Sequence, residues 1–200
     1  HVLNRDDGAA LDQFETGFEQ QLLGERIADL NLRALGFAFF GEIGGSEYLK
    51  AIHGQVNGDA PQIDLEYERS VQLFTYAAIV KGLIQSAHDV SDGGLAVALA
   101  ECCFQGKKSH VIGATIRLND TLRPDFLLFG ETQSRIVVSV SKDQAKVFTE
   151  LAHSRKIDIA NIGTVGGDTL QINEWIKVKA SELEISYRHS IRNIMSNYSP

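Results

Sequence analysis

The sequence predicts an α+β fold in which a mixed sheet is covered by helices. Three observations carry this prediction. Stretches with apolar residues at helical spacing interleave along the chain with stretches that alternate. Glycines and capping residues separate these stretches at intervals of about one element. Hydrophobic residues make up 44% of the 200 and only three are proline, so the chain can bury a real core. The strand and helix order suggests a partial ferredoxin-like βαββαβ unit at the centre.

Residues 1–36 read as an extension or connector, and the domain proper is expected over 37–200. In the first stretch Leu22, Leu23, Ile27, Leu30 and Leu32 suggest a modest helix that Gly17 and Gly24 weaken. Residues 37–40 are a short apolar run, read as a buried strand. Ser46 is an N-cap with Glu47 in the favoured first turn, opening a short helix with Leu49 and Ile52 inward and Gly54 at its end. Asp64 caps a longer helix over 65–81, with Val71, Phe74, Ala78 and Ile79 inward. Residues 83–87 are extended. Residues 88–94 then turn sharply into a helix over 95–104 that is apolar almost all round, and so belongs against a sheet. Residues 111–118 alternate as a strand does, and 126–129 and 135–140 are further strand candidates. Ser141 and Gln144 form a capping box for a helix with Val147, Phe148, Leu151 and Ala152 inward. Residues 157–165 are extended, and Gly166-Gly167-Asp168 reads as a hairpin turn leading to 169–172. A second capping box, Ser181 to Glu184, precedes a stripe of Leu183, Tyr187, Ile191 and Ile194.

Charge and cysteine usage exclude several functions. A net charge of −7 without a basic cluster argues against nucleic-acid binding, while leaving room for a local pocket for a phosphorylated metabolite. Cys102 and Cys103 are adjacent, with no Cys/His array around them, and read as small apolar helix residues in a reducing compartment. No apolar run reaches the ~18 residues of a membrane span, and the amino terminus has no secretory pattern. A cytoplasmic protein is expected. The chain opens on His1, not Met, which suggests an excerpt of a longer one.

Three polar, glycine-bearing segments stand out. In His88-Asp89-Val90-Ser91-Asp92-Gly93-Gly94 the glycines permit positive φ, and Ser91 or Asp92 can cap the helix that follows. This is a site-shaping segment, or simply a capped turn. In Gly130-Glu131-Thr132-Gln133-Ser134-Arg135 an extended backbone would place Glu131, Gln133 and Arg135 on one face. Those groups suit a ligand rich in amides and hydroxyls, or form a solvated strand edge. Gly44-Gly45-Ser46 before a capped helix can form an anion nest, or a plain turn. No phosphate-binding P-loop, GxGxxG, GxSxG or HExxH is present.

Together, IGGSEYLKAIHG, PQIDLEYE, SAHDVSDGGLAVALAE and FGETQSRIVVSV resemble, in order, the carboxy-terminal domain of the phosphoribosylformylglycinamidine synthase family, the PurL synthetase subunit. The HDVSDGGL core is shared more loosely with aminoimidazole ribonucleotide synthetase, selenophosphate synthetase and thiamine-monophosphate kinase. The resemblance implies a PurM C-terminal-domain-like fold. It implies ATP-dependent C–N ligation, converting formylglycinamide ribonucleotide and ammonia to the formylglycinamidine in purine biosynthesis. It implies ATP and Mg2+ bound mainly by a domain absent from this chain. The implied partners are that PurM-like N-terminal domain, the homologous half of the synthetase, a glutaminase subunit and a small accessory subunit. By the same resemblance Glu131, Thr132 and Gln133 align with a substrate-contacting Glu-Ser-Gln motif, with Thr132 in place of Ser. Arg135, Gly44, Gly45 and Ser46 join them as binding candidates. His88, Asp89, Ser91, Asp92, Gly93 and Gly94 shape the site. No catalytic and no metal-ligating residue is assigned, and the chain alone is expected to be inactive. The alternatives are a non-catalytic scaffold or docking domain of the same complex, and a related ATP-dependent enzyme.

Overall fold

The computed structural model describes residues 30–36, 42–104 and 111–196. The strand expected at 37–40 and most of the leading segment lie outside the described residues. Seven strands form one mixed sheet in the order β2-β4-β1-β5-β3-β6-β7. They are β1 (Asn31–Leu35), β2 (Ser86–Asp89), β3 (Ala114–Ile116), β4 (Ile136–Val140), β5 (Ile159–Val165), β6 (Thr169–Ile172) and β7 (Ile176–Lys179). The helices are α1 (Glu47–His53), α2 (Leu65–Val80), α3 (Gly94–Cys102), α4 (Pro124–Phe129), α5 (Lys142–Ser154) and α6 (Ala180–Ser196).

Within this sheet β1-α2-β2 and β4-α5-β5 form a whole ferredoxin-like βαββαβ unit. Its four strands lie side by side as β5-β1-β4-β2, every neighbouring pair antiparallel. The stretch expected to be a connector supplies its central strand, Asn31–Leu35. Both unit helices lie on one face, where Leu35, Val138 and Val140 of the sheet meet Val71, Phe74 and Ala78 of α2 and Phe148 and Ala152 of α5. Phe74 and Phe148 touch, with ring centroids 5.4 Å apart. On the opposite face α3 buries Leu95, Ala96, Ala98 and Leu99 against Leu32, Ala34, Ile116, Val137, Leu170 and Ile172. The all-round apolar character of α3 follows: it lies between the sheet, α4 and α6.

The caps at Ser46, Asp64 and Ser141 form as expected, each accepting amides of its own first turn. Other expectations are corrected. Residues 124–129 are helical, not extended, because Pro124 at the first helical position presets φ and only Leu127 and Leu128 are buried. Ile52 of α1 is exposed, and Tyr48 instead anchors that helix by stacking on Phe129 at 4.6 Å. Helix α6 begins at Ala180, directly after β7, so Ser181 lies inside it and does not cap it. Gly166-Gly167 is not a hairpin turn. β3 runs between β5 and β6, antiparallel to one and parallel to the other. The turn clasps Gly113 at its start, with Gly113 N–H donating to Gly167 and Gly166 N–H to Gly113, both at 2.8 Å. The true hairpin is β6–β7. Among the described residues no helix is long and apolar enough to cross a membrane.

Candidate functional site

Three segments far apart in sequence meet at one carboxylate. Glu131 Oε1 accepts the amide of Gly93 at 2.8 Å and that of Glu47 at 2.9 Å, across sequence separations of 38 and 84 residues. These amides stand at the N-termini of α3 and α1. Each terminus presents unpaired N–H groups and the positive end of a helix dipole, so a carboxylate shared between them is held by charge-assisted bonds. Ser91 and Asp92 do not cap α3. Gly93 occupies the cap position at φ 80° with no local side-chain bond, and Glu131 takes that role from a distance.

Gly94 brings the segments close enough for this. Its φ is 70°, and a Cβ there would lie 2.7 Å from the Gly130 carbonyl oxygen and 2.8 Å from the Phe129 backbone. The end of α4 therefore presses directly on the start of α3, leaving Glu131 facing the free amides.

Arg135 fixes the other side of the loop. The backbone turns at Ser134, φ 63°, before β4 begins at Ile136. Glu131, Gln133 and Arg135 therefore do not share one extended face. The Arg135 guanidinium folds back, donating Nε to the Thr132 carbonyl at 2.8 Å and Nη2 to the Gly130 carbonyl at 2.5 Å. It is 3% exposed. Burial pushes its pKa down to about 10, against the opposing pull of Glu42 and Glu131. Thr132 is buried beside it, while Gln133 is exposed and donates Nε2 to the Glu131 carbonyl at 3.1 Å. Glu42 is a member of this cluster that the sequence reading missed. Its carbonyl accepts the Glu131 amide at 3.3 Å and its Oε1 the Gln62 amide at 3.0 Å. Its Oε2 is buried without a partner among the described residues. A lone Glu after glycine carries no spacing that would have marked it.

The other candidates lie around this centre. Ser46 is 1% exposed and donates its hydroxyl to the Ile43 carbonyl at 2.7 Å. The amides of Gly45 and Ser46 donate to the carbonyls of Asn57 and Ile43, and Gly44 packs against Gly58 and Asp59. The nest expected there therefore has its amides engaged by the main chain. His88, in edge strand β2, faces α3, with Nε2 at 3.1 Å from Glu101 and Nδ1 at 2.7 Å from the Asp89 carbonyl. Asp89 is exposed, as are Ser91 and Asp92. His88 thus ties β2 to α3 away from Glu131.

The junction is acidic at its rim, with Glu47, Asp92 and Glu131 against Lys50. Lys50 Nζ lies 2.8 Å from Glu47, a hydrogen bond that raises its pKa. Among the described residues only Oε1 of Glu131 is engaged, so Oε2 and the Gln133 amide offer bonds to a ligand bearing N–H or O–H groups. Among the described residues no group of three or more His, Cys, Asp or Glu could hold a metal ion.

Comparison with known proteins adds to this geometry. The family model described as AIR synthase related protein, C-terminal domain, matches residues 35–173. A relative named phosphoribosylformylglycinamidine synthase subunit PurL, from Anaeromyxobacter sp. (strain Fw109-5), is 45% identical over 161 residues, covering 78% of this chain and 21% of the relative. Its namesake from Moorella thermoacetica is 40% identical over 159 residues, with the same coverage. The chain thus spans about a fifth of the length of the curated relatives it matches. Among solved structures, T. maritima PurL complexed with FGAR superposes with a TM-score of 0.65 at 19% identity, over 78% of this chain and 28% of that one. That likeness shows the fold. On the match over 35–173, the chain belongs to the family of AIR synthase related protein, C-terminal domains.

Proposed function

We propose that this chain is the part of a phosphoribosylformylglycinamidine synthase that completes the site for the formylglycinamide ribonucleotide. The reaction is ATP-dependent conversion of that ribonucleotide and ammonia to the formylglycinamidine. The convergence of GGSEYLK, SDGGL and GETQSR on the Glu131 carboxylate carries this reading. It holds the outer oxygen of Glu131 and the Gln133 amide at one exposed rim. Those groups match the amide and hydroxyl donors of such a substrate better than its phosphate. Thr132 and Arg135 hold the loop, and Gly44, Gly45 and Ser46 set α1 beside it.

ATP and Mg2+ are assigned to a PurM-like N-terminal domain; the solved neighbour described as T. maritima PurL complexed with ATP supports ATP use, and among the described residues no group of three or more His, Cys, Asp or Glu could hold a metal ion. The homologous half of the synthetase, a glutaminase subunit supplying ammonia, and a small accessory subunit complete the proposed assembly, in the cytoplasm. The solved neighbour described as PurLQS from Thermotoga maritima is in keeping with such a complex. Engagement of both helix-terminal amides by Glu131 favours a second reading, a scaffold that touches no substrate.

Steady-state kinetics separate the two. This chain alone should show no ATP-dependent ligation. In the assembled enzyme Gln133→Ala should raise KM for the ribonucleotide roughly tenfold, the loss of about one hydrogen bond, without lowering the melting temperature. Unchanged KM supports the scaffold, and turnover by the isolated chain refutes the division of labour.

A further inference from the structure

The two faces of the sheet are covered unequally. One is covered by α3, α4 and α6. On the other, the core against α2 and α5 draws on β1, β4 and the start of β5. Strands β3, β6 and β7 contribute nothing to it, so that end of the face carries no helix among the described residues. Register decides what points outward there. Thr115 pairs with Thr164 on one side and Gln171 on the other, Gln171 pairs with Lys177, and Thr169 with Lys179. Arg33 joins this face opposite Asn161, and Arg117 two residues after Thr115.

The result is a polar surface with four cations, Arg33, Arg117, Lys177 and Lys179, and no carboxylate at its strand positions, in a chain of net charge −7. None of the four side chains has an ion-pair or hydrogen-bond partner among the described residues. Arg33 Nε is moreover buried without an acceptor, and burial pushes the pKa of its guanidinium down. A buried donor left unpaired costs stability until an acceptor reaches it.

A complementary sequence lies next door. Residues 1–29 carry seven carboxylates against two arginines. They join the fold at Leu30, whose carbonyl accepts the Val165 amide, at the end of the face where Thr164, Thr169 and Lys179 also lie. From β1 to β7 is four strand spacings, about 19 Å. Twenty-nine residues at up to about 3.3 Å each exceed that several-fold. Attachment at the rim gives the segment a high effective concentration there. We propose that the bare face of β5, β3, β6 and β7 binds the acidic leading segment of this same chain, with carboxylates of residues 1–29 meeting Arg33, Arg117, Lys177 and Lys179.

Zero-length carbodiimide coupling on the full 200-residue chain tests this. Coupling an equal mixture of unlabelled and nitrogen-15 chains, followed by mass spectrometry, should join Lys177 or Lys179 to an acidic residue of 1–29 within one copy. The yield should fall several-fold in about 0.5 M salt. Links found only between copies would make a second chain the occupant and overturn the proposal. So would their absence while the exposed Lys146–Glu150 pair, 3.9 Å apart, still couples. Independently, Lys177→Glu with Lys179→Glu should speed tryptic cleavage at Arg26 several-fold at an unchanged melting temperature. An unchanged cleavage rate overturns the proposal as well.

Discussion

The two ends of the sheet are built on different principles. At the β2-β4-β1 end, helices press on both faces and the decisive contacts join residues remote in sequence: Glu131 with Gly93 and Glu47, Gly94 with Phe129. At the β3-β6-β7 end, the contacts are mostly those of a tight turn and a hairpin, and one face carries no helix among the described residues. The first end concentrates close packing and a shared carboxylate where a ligand could be met. The second spreads its polar groups over an open surface. Gly94 at the first end is needed for space as well as for conformation, while Gly167 in the turn at the second end is needed for conformation alone.

That contrast is open to direct attack. The largest effect is expected from Gly94→Val, where positive φ and the Phe129–Gly130 backbone both oppose a side chain. Destabilisation of at least about 3 kcal/mol should appear in denaturant melts. Gly167→Ala at the other end also has positive φ, 73°, but open space around its Cβ, so about 1 kcal/mol is expected. Equal losses at the two sites would erase the distinction. Glu131→Ala should cost about 1–3 kcal/mol, since it strips an acceptor from two helix N-termini, and Glu131→Gln, which keeps an oxygen there, should cost less. If alanine and glutamine variants melt together, the carboxylate does not hold the junction.

At neutral pH the smallest expected effect is that of Cys103, whose contribution changes only at high pH. It is buried, its Sγ donates to the Leu99 carbonyl at 3.3 Å, and burial pushes its thiol up to about 11 from 9.0. The unfolded chain therefore releases this proton first as pH rises. The stability it confers is complete below about pH 9 and lost as pH climbs through about 11. Replacing Cys103 with Ala should flatten that part of the stability profile, and a Cys103→Ala profile parallel to the parent's would contradict it.

Local patterning made much of the fold legible. Helix α2 runs from the expected cap, Asp64, and buries Val71, Phe74 and Ala78 as its spacing requires. Helix α3 is buried as its composition demands, and of the strand expected over 111–118 the burial of Ala114, Ile116 and Leu118 holds, while Ile112 is only half-buried and β3 itself is confined to Ala114–Ile116. The misreadings fell where a short apolar run fits either state, as at Phe126–Phe129, or where a local turn signal was used to cross over a third strand, as at Gly166-Gly167. The candidate site was legible as segments but not as an arrangement. Glu131 stood out in GETQSR, yet nothing local shows its carboxylate reaching Gly93 and Glu47, or Arg135 turning back on Gly130 and Thr132.

By itself, then, the sequence determined the element types, their caps, the two apolar helix faces and the three polar glycine segments, because these depend on neighbours within a few residues. Only the tertiary structure decided the partners. It set β1 in the interior of the sheet between β4 and β5, β3 between β5 and β6, and one carboxylate across two helix N-termini. Such choices depend on which surfaces meet after the chain has closed, and hydrogen-bond groups 38 and 84 residues apart have no local signal by which to find each other.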